Sequence, residues 1–304
     1  MSEFQSSGPD FASWGPPAAP TQAPPQGPPS APDPWNQSFV GLLHCEWLKL
    51  ATMTSTWVLV GISFALAVYT TATSARASMY LFDVLNDVFG SEYGVRDLSS
   101  AMTTAPIYSG VLLALLGTLS ITNEYSSGMI RTTLTITPSR WPALAAKAIV
   151  VATFAFLSSA IAEFLGASLS YIGLEGVRYD LFLPSGLRIW LGGALVLALM
   201  AMLGMGLGAL IRSTAVSIVA YFGIMLVLPI LFLFGAAAGG RLLEDSFLWV
   251  FFHLPAVAPF GAYTPLFDEE VADGVSSVST TIATLVWTLT PLGFGFLALM
   301  KRDA

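Results

Sequence analysis

Ile189-Trp-Leu-Gly-Gly-Ala-Leu-Val-Leu-Ala-Leu-Met-Ala-Met-Leu-Gly-Met-Gly-Leu-Gly-Ala-Leu-Ile211 is 23 consecutive residues without an Asp, Glu, Lys or Arg. A hydrocarbon core ~30 Å thick needs about 20 helical residues, each rising about 1.5 Å, and this run supplies them. Five more runs on either side have the same apolar character: Thr56–Ala75, Pro106–Thr122, Ala148–Ile172, Ala215–Gly235 and Thr280–Met300. In lipid the backbone must satisfy its own hydrogen bonds, so the runs are predicted to be helices. None alternates polar and apolar residues at period two, which argues against a β-barrel. The expected fold is therefore an all-α polytopic membrane protein with six transmembrane helices.

Composition agrees. Of 304 residues, 55% are hydrophobic and only 10% charged, with mean hydropathy +0.71; a soluble domain carries roughly 25% charged residues. The net charge of −7 lacks the cationic face that phosphate binding requires, so no nucleic-acid partner is expected. A single cysteine, Cys45, and two histidines, His44 and His253, leave no ligand set for a metal site. No Gly-x-x-x-x-Gly-Lys, Gly-x-Ser-x-Gly or His-Glu-x-x-His occurs. The chain is thus expected to have no catalytic residues, no bound cofactor and no ATP hydrolysis of its own.

Residues 1–35 differ from the rest. They hold ten of the 19 prolines, and Pro fixes φ and lacks the amide donor. This stretch reads as a disordered, partly polyproline-II tail; with no Lys or Arg before Lys49, it is not expected to be a secretory signal. Residues 36–304 form the predicted six-helix domain. Phe247–Phe260 is a seventh apolar stretch, too short to span and broken by Pro255 and Pro259. It suits a re-entrant segment between helices five and six, or else an external loop packed on the bundle. Basic residues favour both termini on the cytoplasmic side of a cell membrane: Lys49, Arg131, Arg140, Lys147, Arg212, Lys301 and Arg302 inside, against Arg76, Arg96, Arg178, Arg188 and Arg241 outside.

Two segments carry the functional reading. Before the first span, Phe39, Val40, Leu42, Leu43, Trp47 and Leu50 share a helical arc, with Ser38, His44, Cys45 and Lys49 opposite. That is an amphipathic helix for the membrane surface, either a lead-in to the first span or an elbow that helps dock a partner. Glu46 falls toward its apolar arc, a costly place without a counter-charge. Between spans two and three, Asn123-Glu-Tyr-Ser-Ser-Gly-Met-Ile-Arg-Thr-Thr-Leu runs on through Pro138-Ser-Arg140 to Lys147. About 24 residues there are too many for a tight turn, and a short helix across the cytoplasmic mouth is predicted.

This loop, preceded by Glu46-Trp47-x-Lys49, resembles the permease subunits of ABC transporters of the ABC-2 type, especially actinobacterial ones. The resemblance covers roughly residues 36–304 and implies a coupling segment seated on a separate P-loop ATPase subunit, which would bind ATP and Mg. That role would fall on Glu124, Tyr125, Gly128, Arg131, Pro138 and Arg140, with Glu46, Trp47 and Lys49 on the elbow helix. Six spans make half of the expected pathway, so a second permease half is implied, as a homo- or heterodimer. With almost no charge in the spans, an amphipathic or lipid-like, drug-like cargo is expected, and an exporter. The Pro-rich tail departs from the family's compact N-terminus.

Inside the spans Glu163 stands out, about 24 Å of rise into span three. It either pairs with Arg178 or Arg188 or is held protonated, or it lines the translocation path. Gly204 and Gly208 have the spacing that lets helices approach, within the bundle or at a dimer interface. Pro229 and Pro291 are predicted to kink spans five and six. Two other classes stay open: a secondary transporter or channel, which would need more buried polar groups near the midplane, and a non-transport scaffold presenting the Pro-rich tail.

Overall fold

A computed structural model describes residues 38–89, 105–129, 140–172, 182, 184–239, 249–264 and 275–301. All of them belong to the unit Gln37–Ala304; the expected tail, residues 1–35, lies outside them. The elements are α1 (Phe39–Thr52), α2 (Thr54–Phe89), α3 (Ala105–Ser126), α4 (Arg140–Tyr171), α5 (Pro184–Ile211), α6 (Thr214–Phe222), a π-helical turn (Gly223–Val227), α7 (Leu228–Gly239), α8 (Ala258–Tyr263) and α9 (Ser277–Lys301). The described residues are all-helical and contain no strand. Five of these stretches are long and apolar enough to cross a membrane: Thr54–Ser74, Trp141–Ser170, Gly186–Ile211, Thr214–Gly235 and Ser277–Lys301. The helix α3, at 22 residues, is not among the five.

Several helices outrun their apolar stretches. Past Ala75, α2 continues to Phe89, because no Gly or Pro interrupts residues 62–89, and it takes Asp83 and Asp87 with it. The start of α4 is Arg140 rather than Ala148, with Pro142 tolerated in the first turn. Hydropathy marks where a chain is apolar, whereas helix ends follow breakers and caps. The connection between α3 and α4 is therefore Ser127–Ser139, shorter than the 24 residues expected. The short helix predicted within it lies mostly outside the described residues.

Burial makes α5 the centre of the bundle: 72% of its apolar window is buried, against 11% for Thr214–Gly235. It packs on α3, α4 and α9. Small residues allow this. A Cβ placed on Gly117 would lie 1.8 Å from the Ala201 carbonyl oxygen, and one on Gly204 2.0 Å from that of Ala114. A Cβ on Gly208 would lie 3.1 Å from the Thr118 carbonyl oxygen, and one on Gly206 2.5 Å from the Leu292 backbone nitrogen. The Thr118 hydroxyl donates across the same seam to the Gly204 carbonyl, at 3.0 Å. Such backbone-to-backbone contact is how helices gain dispersion energy where lipid offers no hydrophobic drive.

The π turn precedes Pro229, which cannot donate to the carbonyl four residues back; widening the helix there absorbs the missing bond. Pro291 lies inside α9. Between α7 and α9, residues 249–264 form a helical turn, a reversal at His253–Val257 and the short α8, which packs on α9 and α5. Its reversal is held by the Trp287 indole, which donates to the His253 carbonyl at 2.9 Å.

Gly204→Ala should lower thermal stability of the purified protein by about 2 kcal/mol or more, since the new methyl meets backbone rather than a yielding side chain. Gly293→Ala, which meets nothing within 4 Å, should be neutral or slightly stabilising. Equal melting temperatures for both variants in size-exclusion thermal assays would contradict this packing.

Candidate functional site

Four charged side chains from three helices converge at one end of the bundle. Glu46 and Lys49 come from α1, Glu124 from the last turn of α3, and Lys147 from the second turn of α4. Lys49 Nζ donates to Glu46 Oε1 at 2.6 Å and to Glu124 Oε1 at 3.0 Å. Lys147 Nζ donates to the same Glu124 oxygen at 2.8 Å, and to Glu46 Oε2. Each ammonium thus bridges both carboxylates, closing a ring of two positive and two negative charges. The side chains of Glu46, Glu124 and Lys147 are no more than 8% exposed, and Lys49 is 27% exposed.

The ring corrects the expected orientation of α1. Lys49 does not lie opposite the buried arc but turns into the bundle, while Val40 and Trp47 of the apolar arc are exposed. Leu50 and Glu46 are the buried residues of this helix. The physical reason is the high cost of a lone buried carboxylate: α1 rotates until Glu46 faces the ammonium groups, leaving apolar side chains to the surface. Trp47 packs on Phe154 of α4, ring centroids 4.3 Å apart.

Ionisation follows from the ring. Burial pushes the Lys49 ammonium down, but the hydrogen bond to Glu46 and the charges of Glu124 and Glu46 outweigh it, so it sits above its ordinary value. Burial pushes the Glu124 carboxyl up, but Lys147 and then Lys49 overcome it, so it sits below the usual carboxylate range. The Lys49 contribution to stability is complete below the ordinary lysine value and is lost as pH rises through the folded one. That of Glu124 is complete above the ordinary carboxylate value and is lost as pH falls through the folded one. Across the neutral range these two contributions hold together.

A family model for ABC-2 family transporter proteins matches residues 41–304. The chain belongs to this family. No curated protein matches it. It is therefore an ABC-2 permease, a multi-pass membrane component of a transporter and not itself a catalyst.

In this permease the ring joins α1 to both stems of the α3–α4 connection. Glu124 stands just before it, and Lys147 two helical turns after it. The remaining residues singled out in that connection are placed as follows. Tyr125 lies under Arg212, whose guanidinium carbon is 5.1 Å from the ring centroid. Arg212 itself sits at the α5–α6 turn with φ +60°, a left-handed conformation rare for a side chain of its size. A second tie, Thr214 to Thr122 at 2.8 Å, joins the same turn to α3. Gly128 has φ +70°, so the chain leaves α3 through a conformation that favours glycine. Arg131 and Pro138, and the side chain of Arg140, lie outside the described residues.

Glu163 is elsewhere, on α4 against α5. It is fully buried, and neither carboxylate oxygen has a hydrogen-bond partner among the described residues. Arg188, one expected partner, instead donates to Ser277 Oγ at 2.9 Å and to the Thr264 carbonyl at 3.4 Å. Arg178 lies outside the described residues. The sequence marks Arg212 only as a topology signal, and Lys147 as that and as the end of the loop stretch, but neither as part of a site. The signal for Lys147 was already present, since a Glu on an apolar helix face needs a cation.

Lys147→Met should destabilise the permease by about 3 kcal/mol, because two buried carboxylates would then share one ammonium. Adding Glu46→Gln should recover at least about 1 kcal/mol of that loss in a double-mutant cycle read by thermal unfolding; strict additivity would mean the two do not interact. In the wild type, melting temperature should be level across the neutral range and fall as acid protonates Glu124 or strong base neutralises Lys49.

Proposed function

We propose that this ABC-2 permease is the membrane half of an ATP-driven exporter, worked by a separate cytosolic ATPase through the connection between α3 and α4. The observation that carries the reading is the buried ring of Glu46, Lys49, Glu124 and Lys147, which clamps that connection's two stems to α1. A push on the connection is then transmitted to α1, α3 and α4 together, since breaking any one bond of the ring leaves a buried charge short of a partner. Coupling also needs a ligand that binds one arrangement better than another; here that ligand is ATP with Mg on the partner chain.

On this reading Gly128, Arg131, Pro138 and Arg140 meet the ATPase, and Glu124, buried in the ring, and Tyr125, stacked under Arg212, carry the push into the bundle. The helix α1 is the elbow at the membrane surface, with exposed Val40, Trp47 and Leu48 against lipid. Counting α3, whose 22 residues give about 33 Å of rise, the permease has six spans. Both termini face the cytosol of the cell membrane, and residues 249–264 form the broken, re-entrant segment. A second permease half completes the pathway, and the cargo is amphipathic or lipid-like.

Affinity purification of the intact protein from its native membrane should recover a P-loop ATPase. In vesicles reconstituted with that ATPase, Arg131→Glu should cut ATP-driven transport at least about tenfold with folded yield unchanged. Full transport by the permease alone, without any nucleotide-binding chain, would refute the assignment.

A further inference from the structure

A cavity of about 260 Å³ lies between α3, α5, the α6–π segment and α8. Its walls are apolar and aromatic, among them Val196, Met200, Tyr221, Phe222, Phe260 and Tyr263. It reaches the bundle surface, since Phe222 and Leu226 on its lining are 42% and 57% exposed. A pocket of this kind is a ligand site when a polar group converges on it.

Such a group is adjacent. The Glu163 carboxylate is packed on α5 at Gly193, where an added Cβ would lie 3.0 Å from Oε2. The neighbouring Gly192 is packed just as closely against Tyr263, 2.5 Å to its Cβ. Tyr263 lines the cavity, and Glu163 stands behind that lining rather than in it. From Gly192 and Gly193 the same face of α5 runs on to Val196 and Met200 in the cavity wall, at three, four, seven and eight residues' spacing. Gly193, which Glu163 packs against, is three residues, about 4.5 Å of rise, from Val196.

A fully buried carboxylate whose oxygens have no partner among the described residues is expensive, and the nearby cavity is walled by π faces, which attract cations. We propose that this cavity binds a lipophilic organic monocation, its apolar body between the aromatic walls and its cationic end drawn to Glu163. As a binding site this stands on the cavity and Glu163 alone; as a cargo site it rests on the transporter reading above.

The test uses the intact protein in phosphatidylcholine nanodiscs without ATPase, so its outcome is separate from that of the coupling experiment. The probe is the styrylpyridinium dye 4-(4-dimethylaminostyryl)-N-methylpyridinium, whose fluorescence rises in apolar surroundings, with empty nanodiscs subtracted. Saturable binding is expected, at least about tenfold tighter than that of the uncharged, unmethylated parent pyridine. Glu163→Gln should erase that preference, and Met200→Trp, which fills the cavity, should abolish saturable binding of both dyes. The proposal is overturned by any of three results: no saturable binding to the wild type, equal affinity for both dyes, or unchanged binding in Met200→Trp. The dye comparison needs no variant, so it decides the matter even where Glu163→Gln does not fold.

Discussion

Two ammonium groups shared between two buried carboxylates set the geometry of one whole end of this molecule. A single buried pair is weak evidence for stability, because desolvation offsets much of the attraction. A closed ring is different in kind: every charge has two partners, so no member can leave without stranding the others. That constraint fixes the rotation of α1 and holds the last turn of α3 against the start of α4. Lys147 would otherwise mark the edge of a membrane helix. Neutralised by Glu46 and Glu124, it sits inside one.

The rest of the bundle is held by a different physics. Around α5, glycines bring backbones together and hydroxyls donate to carbonyls of neighbouring helices, as with Thr118 and Gly204. These contacts are short-ranged and geometry-dependent, so they define the core closely but resist deformation. The segment Thr214–Gly235, mostly exposed and carrying a π turn, stands outside that core. A transporter that must change shape needs both kinds of part: a stiff centre, and ties at its ends that transmit force. The tie at the ring end is ionic. At the Glu163 end a carboxylate is buried with no counter-charge among the described residues, which is where a ligand can supply what the protein withholds.

Much of this was legible beforehand. The helical character and the apolar runs follow from charge-free stretches too long for any soluble element. The family could be seen in the Asn123–Lys147 stretch and in Glu46-Trp47-x-Lys49. Glu46 and Glu163 were conspicuous as carboxylates in apolar company, because charge against hydropathy is a local property. Helix ends were less legible, since α2 runs on through polar residues past Ala75 and in α4 the charge of Lys147 interrupts an apolar stretch that begins at Trp141. The orientation of α1 was misread for a related reason. An arc drawn on one helix ranks its own residues but carries no information about what stands opposite.

What the sequence determined alone is the class of molecule: an apolar chain with no catalytic set, folded as helices because lipid leaves the backbone no other partner. What tertiary structure decided is pairing. Glu46 and Lys147 are 101 residues apart, and nothing in either neighbourhood names the other; nor does anything local say that Arg188 turns to Ser277 and leaves Glu163 beside an aromatic cavity. Electrostatic partners are chosen by distance in space, and distance in space between such remote residues exists only once the helices have packed.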